Sequence, residues 1–168
     1  MFEEIQNLLN NPDSFENPQE YFIYNNFRNR SYQQAYDAIC DYLKEDSRNK
    51  EALEIKIRLS ICLHKYNVAK QTAKTLLMLG GEESEYLELY GQSLLLSGDF
   101  DGAESSYMRA YKLDPDSPFS FGVKYKQAKE LNKLKKEGND QVSKGNYEEA
   151  IKIYTSVRNF FFFNCFDG

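Results

Sequence analysis

The chain has 168 residues, with 21 basic and 26 acidic side chains and a formal net charge of −5 at pH 7. This balance disfavours general nucleic-acid binding, which requires a basic surface. No window is long and apolar enough to predict a membrane-spanning segment. The start, Met1-Phe2-Glu3-Glu4, lacks the basic residues and apolar run of a secretory signal, so we expect a cytoplasmic protein.

Residues that could carry chemistry are few. Cys40, Cys62 and Cys165 are odd in number and share no metal-ligand spacing. We expect Cys40 and Cys62 to be buried as small apolar residues of helices. His64 is the only histidine, and with no carboxylate or serine at a catalytic spacing it is interpreted as a solvated turn residue. The sequence therefore predicts no enzyme activity, no metal or other cofactor, and no small-molecule substrate.

Helical patterns begin at the N-terminus. Apolar residues in the first ten positions recur at helical spacing, which favours an N-terminal cap or partial helix over residues 1–15. The sequence leaves open whether this segment covers the end of a stack or is the remnant of an earlier unit. Pro18 suits a first helical turn, and a helix is predicted from there to about Asn29. Ser31, with Gln34 three residues later, is a capping-box signal for the next helix.

Residues 84–117 carry the clearest pattern, that of two helices folded back on each other. Gly98 suits the left-handed residue after a helix end, and Asp99 can cap the helix that follows. Gly91 on the first helix and Ala103 on the second are small where the two helices must cross closely. The apolar stripes are Leu87, Tyr90, Leu94 and Leu95 on the first helix and Phe100, Ala103, Tyr107 and Ala110 on the second.

The same pattern recurs along the chain at a fixed interval. Ala35, Ala69 and Ala103 are each 34 residues apart, and aromatic residues lie three positions before each of them. A period of this length is typical of stacked helical units. The residues resemble the tetratricopeptide repeat (TPR), which has small residues at positions 8 and 20, an aromatic at 17 and a proline at 32. With Ser84 as position one, those places hold Gly91, Ala103, Phe100 and Pro115.

The resemblance implies an all-α TPR solenoid, a right-handed superhelix of helical hairpins, with units at 16–49, 50–83 and 84–117. The first two units match less well, since Ile23 and Ile57 replace the glycine and Ser47 and Gly81 replace the proline. A partial fourth unit follows at an offset of 13 extra residues, so that 118–157 hold a linking helix and a truncated repeat. The fourth unit is indicated by Gly138, Gly145, Tyr147, Ala150 and Tyr154.

The 13 extra residues keep helical spacing. We predict one long helix from about Pro118 to Ser143, with Gly122 as its weakest point; the alternative is a break near Gly122 with a short linker. The charge changes sign here: residues 1–118 hold 12 basic and 20 acidic side chains, and residues 119–158 hold 9 and 5. Residues 158–168 form a phenylalanine-rich tail that departs from the repeat pattern, and we interpret it as read-through into an intron.

Lys135 and Asn139 lie four residues apart and therefore on one face of the long helix. They occupy repeat positions five and nine, which in the family line the concave groove. There they resemble the first pair of a carboxylate clamp, with which chaperone-binding TPR domains hold the C-terminal Glu-Glu-Val-Asp of heat-shock chaperones. An ammonium and an amide both donate hydrogen bonds to a carboxylate. The alternative is a solvated pair on a polar helix.

The corresponding positions of the two preceding units differ in charge. Glu54 and Arg58 occupy them in one unit, and Glu88 and Gln92 in the next. With Glu51 and Glu85, these acids suggest a groove for a basic or mixed partner, although a solvated polar face accounts for them equally well.

Three repeats, an extension and a Lys-Lys-Glu-Gly-Asn repeat resemble the TPR region of a DnaJ-type co-chaperone that ends before its J domain. The resemblance implies a protein–protein interaction adaptor that assists protein folding, with protein or peptide partners such as the C-terminal tails of heat-shock chaperones. The His-Pro-Asp motif of a J domain does not occur in this sequence. Two alternatives stay open: the regulatory TPR region of an isomerase or phosphatase, and a general scaffold.

Overall fold

The computed structural model describes residues 18–117 and 120–165, with side chains described for 22–117 and 120–160. Within this part of the chain all regular structure is α-helical. The eight helices are α1 (Pro18–Arg28), α2 (Tyr32–Glu45), α3 (Lys50–Cys62), α4 (Tyr66–Gly80), α5 (Ser84–Leu96), α6 (Phe100–Leu113), α7 (Phe121–Ser143) and α8 (Tyr147–Cys165). The predicted N-terminal cap at residues 1–15 lies outside the described residues.

The helices form four consecutive hairpins, each helix packing against the next along the chain. One apolar cluster joins α1 to α5 through fully buried residues such as Ile39, Ile57 and Leu76. A second joins α5, α6 and α7 through Leu94, Tyr107 and Leu131. The core is therefore distributed between neighbouring hairpins, as in a solenoid. This confirms the predicted all-α stack of helical hairpins.

The turns inside the four hairpins share one backbone geometry. Each contains a residue with positive φ at the same place: Arg30, His64, Gly98 and Gly145, with φ between 56° and 80°. In each turn the amide of the following residue donates to the carbonyl five residues earlier, as in Asp99 N to Leu94 O at 2.9 Å. This is the Schellman pattern of helix ends. Glycine takes the left-handed conformation without strain, whereas Arg30 and His64 adopt it with a Cβ that opposes it.

Glycine lies at the close helix crossings within two hairpins. A Cβ on Gly91 would lie 2.9 Å from the Tyr107 ring, and a Cβ on Gly138 would lie 2.6 Å from the Tyr154 ring. Each pair joins the first helix of a hairpin to the second. The small residue predicted at Gly91 is thus required by the Tyr107 ring, which is buried.

The long helix is continuous. Helix α7 begins at Phe121, after Ser120 in a left-handed conformation with φ 53°, and runs through Gly122 to Ser143. The predicted end at Ser143 is confirmed, but the helix begins at Phe121 and not at about Pro118, because Ser120 is left-handed; the helix thus starts one residue before Gly122, close to the break given as the alternative. Phe121 is 1% exposed and packs with Leu87 and Ala110, which anchors the first turn of α7 to the preceding hairpin.

Three local predictions differ from the structure. Ser31 stands at the N-cap of α2, as predicted, but its side chain makes no capping hydrogen bond. Cys62 is exposed and Cys40 is only partly buried, so neither is the buried residue expected. Cys62 ends α3 beside the turn, where the hairpin stack does not enclose it.

The start of the tail is helical. The backbone of α8 continues as a helix to Cys165, beyond the point where the sequence departs from the repeat pattern. Val157 and Phe160 pack against the second apolar cluster. This packing favours continuation of the helix over a change of direction after Arg158.

Tyr107 is buried and Tyr154 is partly exposed, so replacing the glycine that faces each ring should have different effects on stability. Gly91→Ala should lower the free energy of unfolding by about 1–2 kcal/mol, because the cost of overpacking against the buried Tyr107 exceeds the helix propensity that alanine gains. Gly138→Ala should be close to neutral, since Tyr154 is 38% exposed and can move away. Urea unfolding of both variants tests this, and equal losses would contradict it.

The non-glycine residues in the turns give a second prediction. Arg30→Gly and His64→Gly should each raise the free energy of unfolding by up to about 1 kcal/mol, because relief of the left-handed backbone outweighs the added freedom of the unfolded chain. Gly98→Ala, at the equivalent place in the third hairpin, is the control and should be destabilising. Unfolding curves showing no gain for Arg30→Gly would contradict this reading of the turns.

Candidate functional site

The first helices of successive hairpins, α3, α5 and α7, lie side by side. Lys50 Nζ of α3 is 4.0 Å from a Glu83 carboxylate oxygen at the start of α5, and Lys124 Nζ of α7 is 2.6 Å from Glu88 Oε1 of α5. The polar residues along these helices define the groove surface. Its sequence-predicted members are Glu54 and Arg58 on α3, Glu88 and Gln92 on α5, and Lys135 and Asn139 on α7.

The α3–α5 part of the groove surface is acidic. Burial raises the pKa of the Glu54 carboxyl, and the neighbouring carboxylates, of which Glu85 has the largest effect, raise it further; Arg58 acts in the opposite direction. Glu51 and Glu83 add to the same negative field. A cation placed here would relieve the repulsion between these carboxylates.

Glu88 is neutralised from within the chain. Its side chain is 12% exposed and is paired with Lys124. Lys124 belongs to the part of α7 that the 13-residue extension adds, so the repeat pattern gave no signal for this ion pair. Glu88, expected to form part of a groove for a basic or mixed partner, is half of an ion pair that joins α5 to α7.

The predicted clamp pair is engaged with other parts of the chain. Lys135 Nζ donates to the Gly98 carbonyl at 2.9 Å and lies 5.3 Å from the centre of the Phe100 ring. Asn139 is exposed, and its Oδ1 accepts a 2.7 Å hydrogen bond from the Tyr154 hydroxyl. The two side chains therefore share one helix face, but Lys135 binds the turn of the third hairpin and Asn139 binds α8.

A polar junction between α6 and α7 was not predicted from the sequence. Asn132 is 4% exposed, and its Nδ2 donates to Asp101 at 2.9 Å and to Glu104 at 2.7 Å. Lys136 also pairs with Asp101 at 2.7 Å, and the Lys136 ammonium, followed by the Asn132 amide, lowers the pKa of the Asp101 carboxyl. An asparagine next to Leu131 in the predicted long helix was the available signal.

The described residues hold little that suggests catalysis. His64 is an exposed turn residue whose Nδ1 is 2.7 Å from the Tyr66 hydroxyl. Across residues 18–117 and 120–165, no group of three or more histidine, cysteine and carboxylate side chains could hold a metal ion. Nor does any helix in this range have the length and apolar character to cross a bilayer.

The stack of hairpins and its polar groove surface define a helical-repeat protein. Residues 84–117 match the family model for the tetratricopeptide repeat. The chain therefore contains a TPR unit, and its described helices have the fold of a TPR solenoid.

Two curated relatives share sequence with this chain. Both are named DnaJ homolog subfamily C member 7 homolog. The one from Schizosaccharomyces pombe is 31% identical over 103 residues, 61% of this chain and 21% of the relative. The one from Dictyostelium discoideum is 30% identical over 123 residues, 73% of this chain and 23% of the relative. The chain thus spans about a fifth of the length of these relatives.

Solved structures share the fold. The TPR domain of P58(IPK) matches with a TM-score of 0.69 at 22% identity, over 94% of this chain and 41% of that one. A MamA protein matches with a TM-score of 0.56 at 18% identity, over 85% of this chain and 90% of that one. At these identities the similarity concerns the fold, and it confirms the predicted TPR solenoid.

The raised pKa of Glu54 leads to a pH-dependent prediction. A carboxyl group whose pKa is higher in the folded than in the unfolded state binds more protons in the folded state. Its contribution to stability therefore falls as the pH rises from the unfolded-state pKa through the folded-state pKa. Glu54→Gln should therefore be more stable than the parent chain at pH 7, and the difference should vanish below the unfolded carboxyl pKa. Thermal unfolding from pH 3 to 7 measures this, with Glu45→Gln, an exposed position on α2, as the control. A difference that stays constant with pH would contradict it.

Proposed function

We propose that this chain is a non-catalytic adaptor whose groove surface holds a segment of a partner protein, in the manner of a co-chaperone. The observation that carries the proposal is the alignment of polar residues on consecutive first helices. These residues occupy the same two positions of each unit and remain at least partly exposed. The sequence similarity to DnaJ homolog subfamily C member 7 homologs supports a role with heat-shock chaperones.

The α7 end of the groove surface suits a terminal carboxylate. A lysine ammonium has three donor hydrogens, and Lys135 donates one of them to the Gly98 carbonyl. Because the oxygen of the Asn139 amide is bound by Tyr154, its NH₂ group is left to donate elsewhere. We propose that these two groups bind the C-terminal carboxylate of a chaperone tail ending in Glu-Glu-Val-Asp.

The expected strength of this contact is small. Hydrogen bonds to charged groups contribute about 1.5–3 kcal/mol each, so the pair supplies about 3–6 kcal/mol. Association itself costs on the order of 4–15 kcal/mol. In the family, the clamp takes further donors from the two repeats that follow the first pair. The pair in this chain should therefore bind a tail with a dissociation constant of about 1 mM or weaker.

The α3–α5 end favours a second kind of ligand, a basic segment. The repulsion acting on Glu54 from Glu85, Glu51 and Glu83 is the specific observation in its favour. Lysine or arginine side chains of an extended peptide would satisfy these carboxylates. A partner with a basic segment followed by a terminal carboxylate would fit both ends of the groove surface.

A peptide titration monitored by NMR tests the proposal. An eight-residue peptide ending in Glu-Glu-Val-Asp should shift amide resonances of α7 around Lys135 and Asn139, and the C-terminally amidated peptide should not. Asn139→Ala should abolish the shifts without disturbing the contact between Lys135 and Gly98, whereas Lys126→Ala, an exposed lysine on the same helix, should leave them unchanged. Equal shifts with the amidated peptide would contradict carboxylate recognition.

A separate peptide titration tests binding at the acidic α3–α5 end of the groove surface. A lysine-rich peptide should shift resonances around Glu54, and Glu54→Gln should weaken its binding. An unchanged affinity in Glu54→Gln would reject the acidic end as a binding surface and leave the carboxylate site unaffected.

A further inference from the structure

Two carboxylates at the same repeat position have different surroundings. Glu54 on α3 and Glu88 on α5 are 34 residues apart. Burial and the neighbouring carboxylates raise the pKa of the Glu54 carboxyl, whereas Glu88 Oε1 lies 2.6 Å from Lys124 Nζ. The acidic row on the groove surface therefore ends at an ion pair formed within the chain.

The backbone of Lys124 is held in place by apolar packing. Phe121, three residues earlier on α7, is 1% exposed and packs with Leu87 and Ala110. Because Leu87 directly precedes Glu88, the packing that buries Phe121 also brings the lysine and the carboxylate together. The ammonium group is thus presented to Glu88 by the fold of α5, α6 and α7.

The Glu88 carboxylate requires a cation. Its side chain is 12% exposed, so its charge is largely removed from water and depends on a partner of opposite charge. An ammonium group of a bound peptide would offer the same charge-assisted hydrogen bond that Lys124 donates. Two ammonium groups beside one carboxylate repel each other, so Lys124 and the cation of a ligand would compete for Glu88.

We propose that Lys124 takes the place of a ligand cation at Glu88, an inference that rests on the proposed binding of a basic segment to the α3–α5 end. While Lys124 holds Glu88, a basic segment engages the carboxylates around Glu54 and does not reach Glu88. Its cationic residues are then confined to the part of the groove surface nearest α3. Lys124 thereby determines how far a basic ligand extends towards α7.

A purely structural role for the ion pair gives a different expectation. The pair joins α5 to α7, and a contact that serves only this purpose would leave peptide affinity unchanged or lower when Lys124 is removed. Competition predicts the opposite, because removal of the internal cation makes the Glu88 carboxylate available to the ligand. The direction of the change in affinity therefore separates the two roles.

A double-mutant cycle with the lysine-rich peptide tests the proposal on the full chain. Lys124→Ala should bind the peptide about tenfold more tightly than the parent chain, because one further charge-assisted hydrogen bond becomes available. Glu88→Gln should bind it more weakly, because the Lys124 ammonium then faces the ligand without a carboxylate. The double variant should return to within about twofold of the parent affinity.

Lys126→Ala is the matched control for net charge. Lys126 is an exposed lysine on the same helix, and its removal should change the affinity by less than about threefold, since exposed charges are screened. Resonance mapping gives a second readout. The peptide should shift the amide resonance of Glu88 in Lys124→Ala and leave it unshifted in the parent chain.

The outcomes separate this inference from the proposed function. If the parent chain binds the peptide near Glu54, the role of Lys124 is overturned when Lys124→Ala binds no more tightly than Lys126→Ala, or when the double variant keeps the full gain. Glu88→Gln leaves no unpaired buried charge, so an affinity equal to that of the parent overturns the role even where Lys124→Ala fails to fold. If no chain in the series binds the peptide, the acidic end is rejected as a binding surface, and the inference with it.

Discussion

The structure depends on how closely the two helices of a hairpin can approach. In the third hairpin the absent side chain of Gly91 makes room for the Tyr107 ring, and in the fourth Gly138 does the same for Tyr154. In the third hairpin the buried Tyr107 ring against the bare backbone at Gly91 fixes both the distance and the register of the two helices. Because each hairpin buries its apolar surface against the next, an error in one crossing would change the position of every later first helix. The spacing between the polar residues of the groove surface therefore depends on these helix crossings.

Helix α7 links the stack to the groove surface. Its extension supplies Lys124 to neutralise Glu88, and its central part supplies Lys135 to the turn of the third hairpin. The lysine proposed to bind a carboxylate ligand therefore also joins two hairpins. Asn139 is therefore the cleaner probe of the proposed ligand binding, because its side chain accepts from Tyr154 of α8 and does not contact the third hairpin turn that Lys135 binds. The acidic and basic ends of the groove surface meet where α5 and α7 adjoin.

Features that depend on a few neighbouring residues could be predicted from the sequence. The left-handed turn at Gly98 and the cap at Asp99, which accepts from the Gly102 amide, follow from local backbone chemistry. Contacts between hairpins could not be predicted in the same way. The pair of Lys124 with Glu88 requires the extension to lie against α5, and burial of Asn132 requires two carboxylates of α6 to meet it. Neither arrangement leaves a periodic signal, because the extension lies outside the repeat frame.

The crossing geometry can be measured directly in solution. In a NOESY spectrum of the labelled chain, we predict strong cross-peaks between the α-protons of Gly91 and the ring protons of Tyr107, and between those of Gly138 and Tyr154. Their presence would establish the helix register on which the stack and its groove surface depend. Their absence, with the Tyr107 ring instead close to residues of a different helix, would contradict the account.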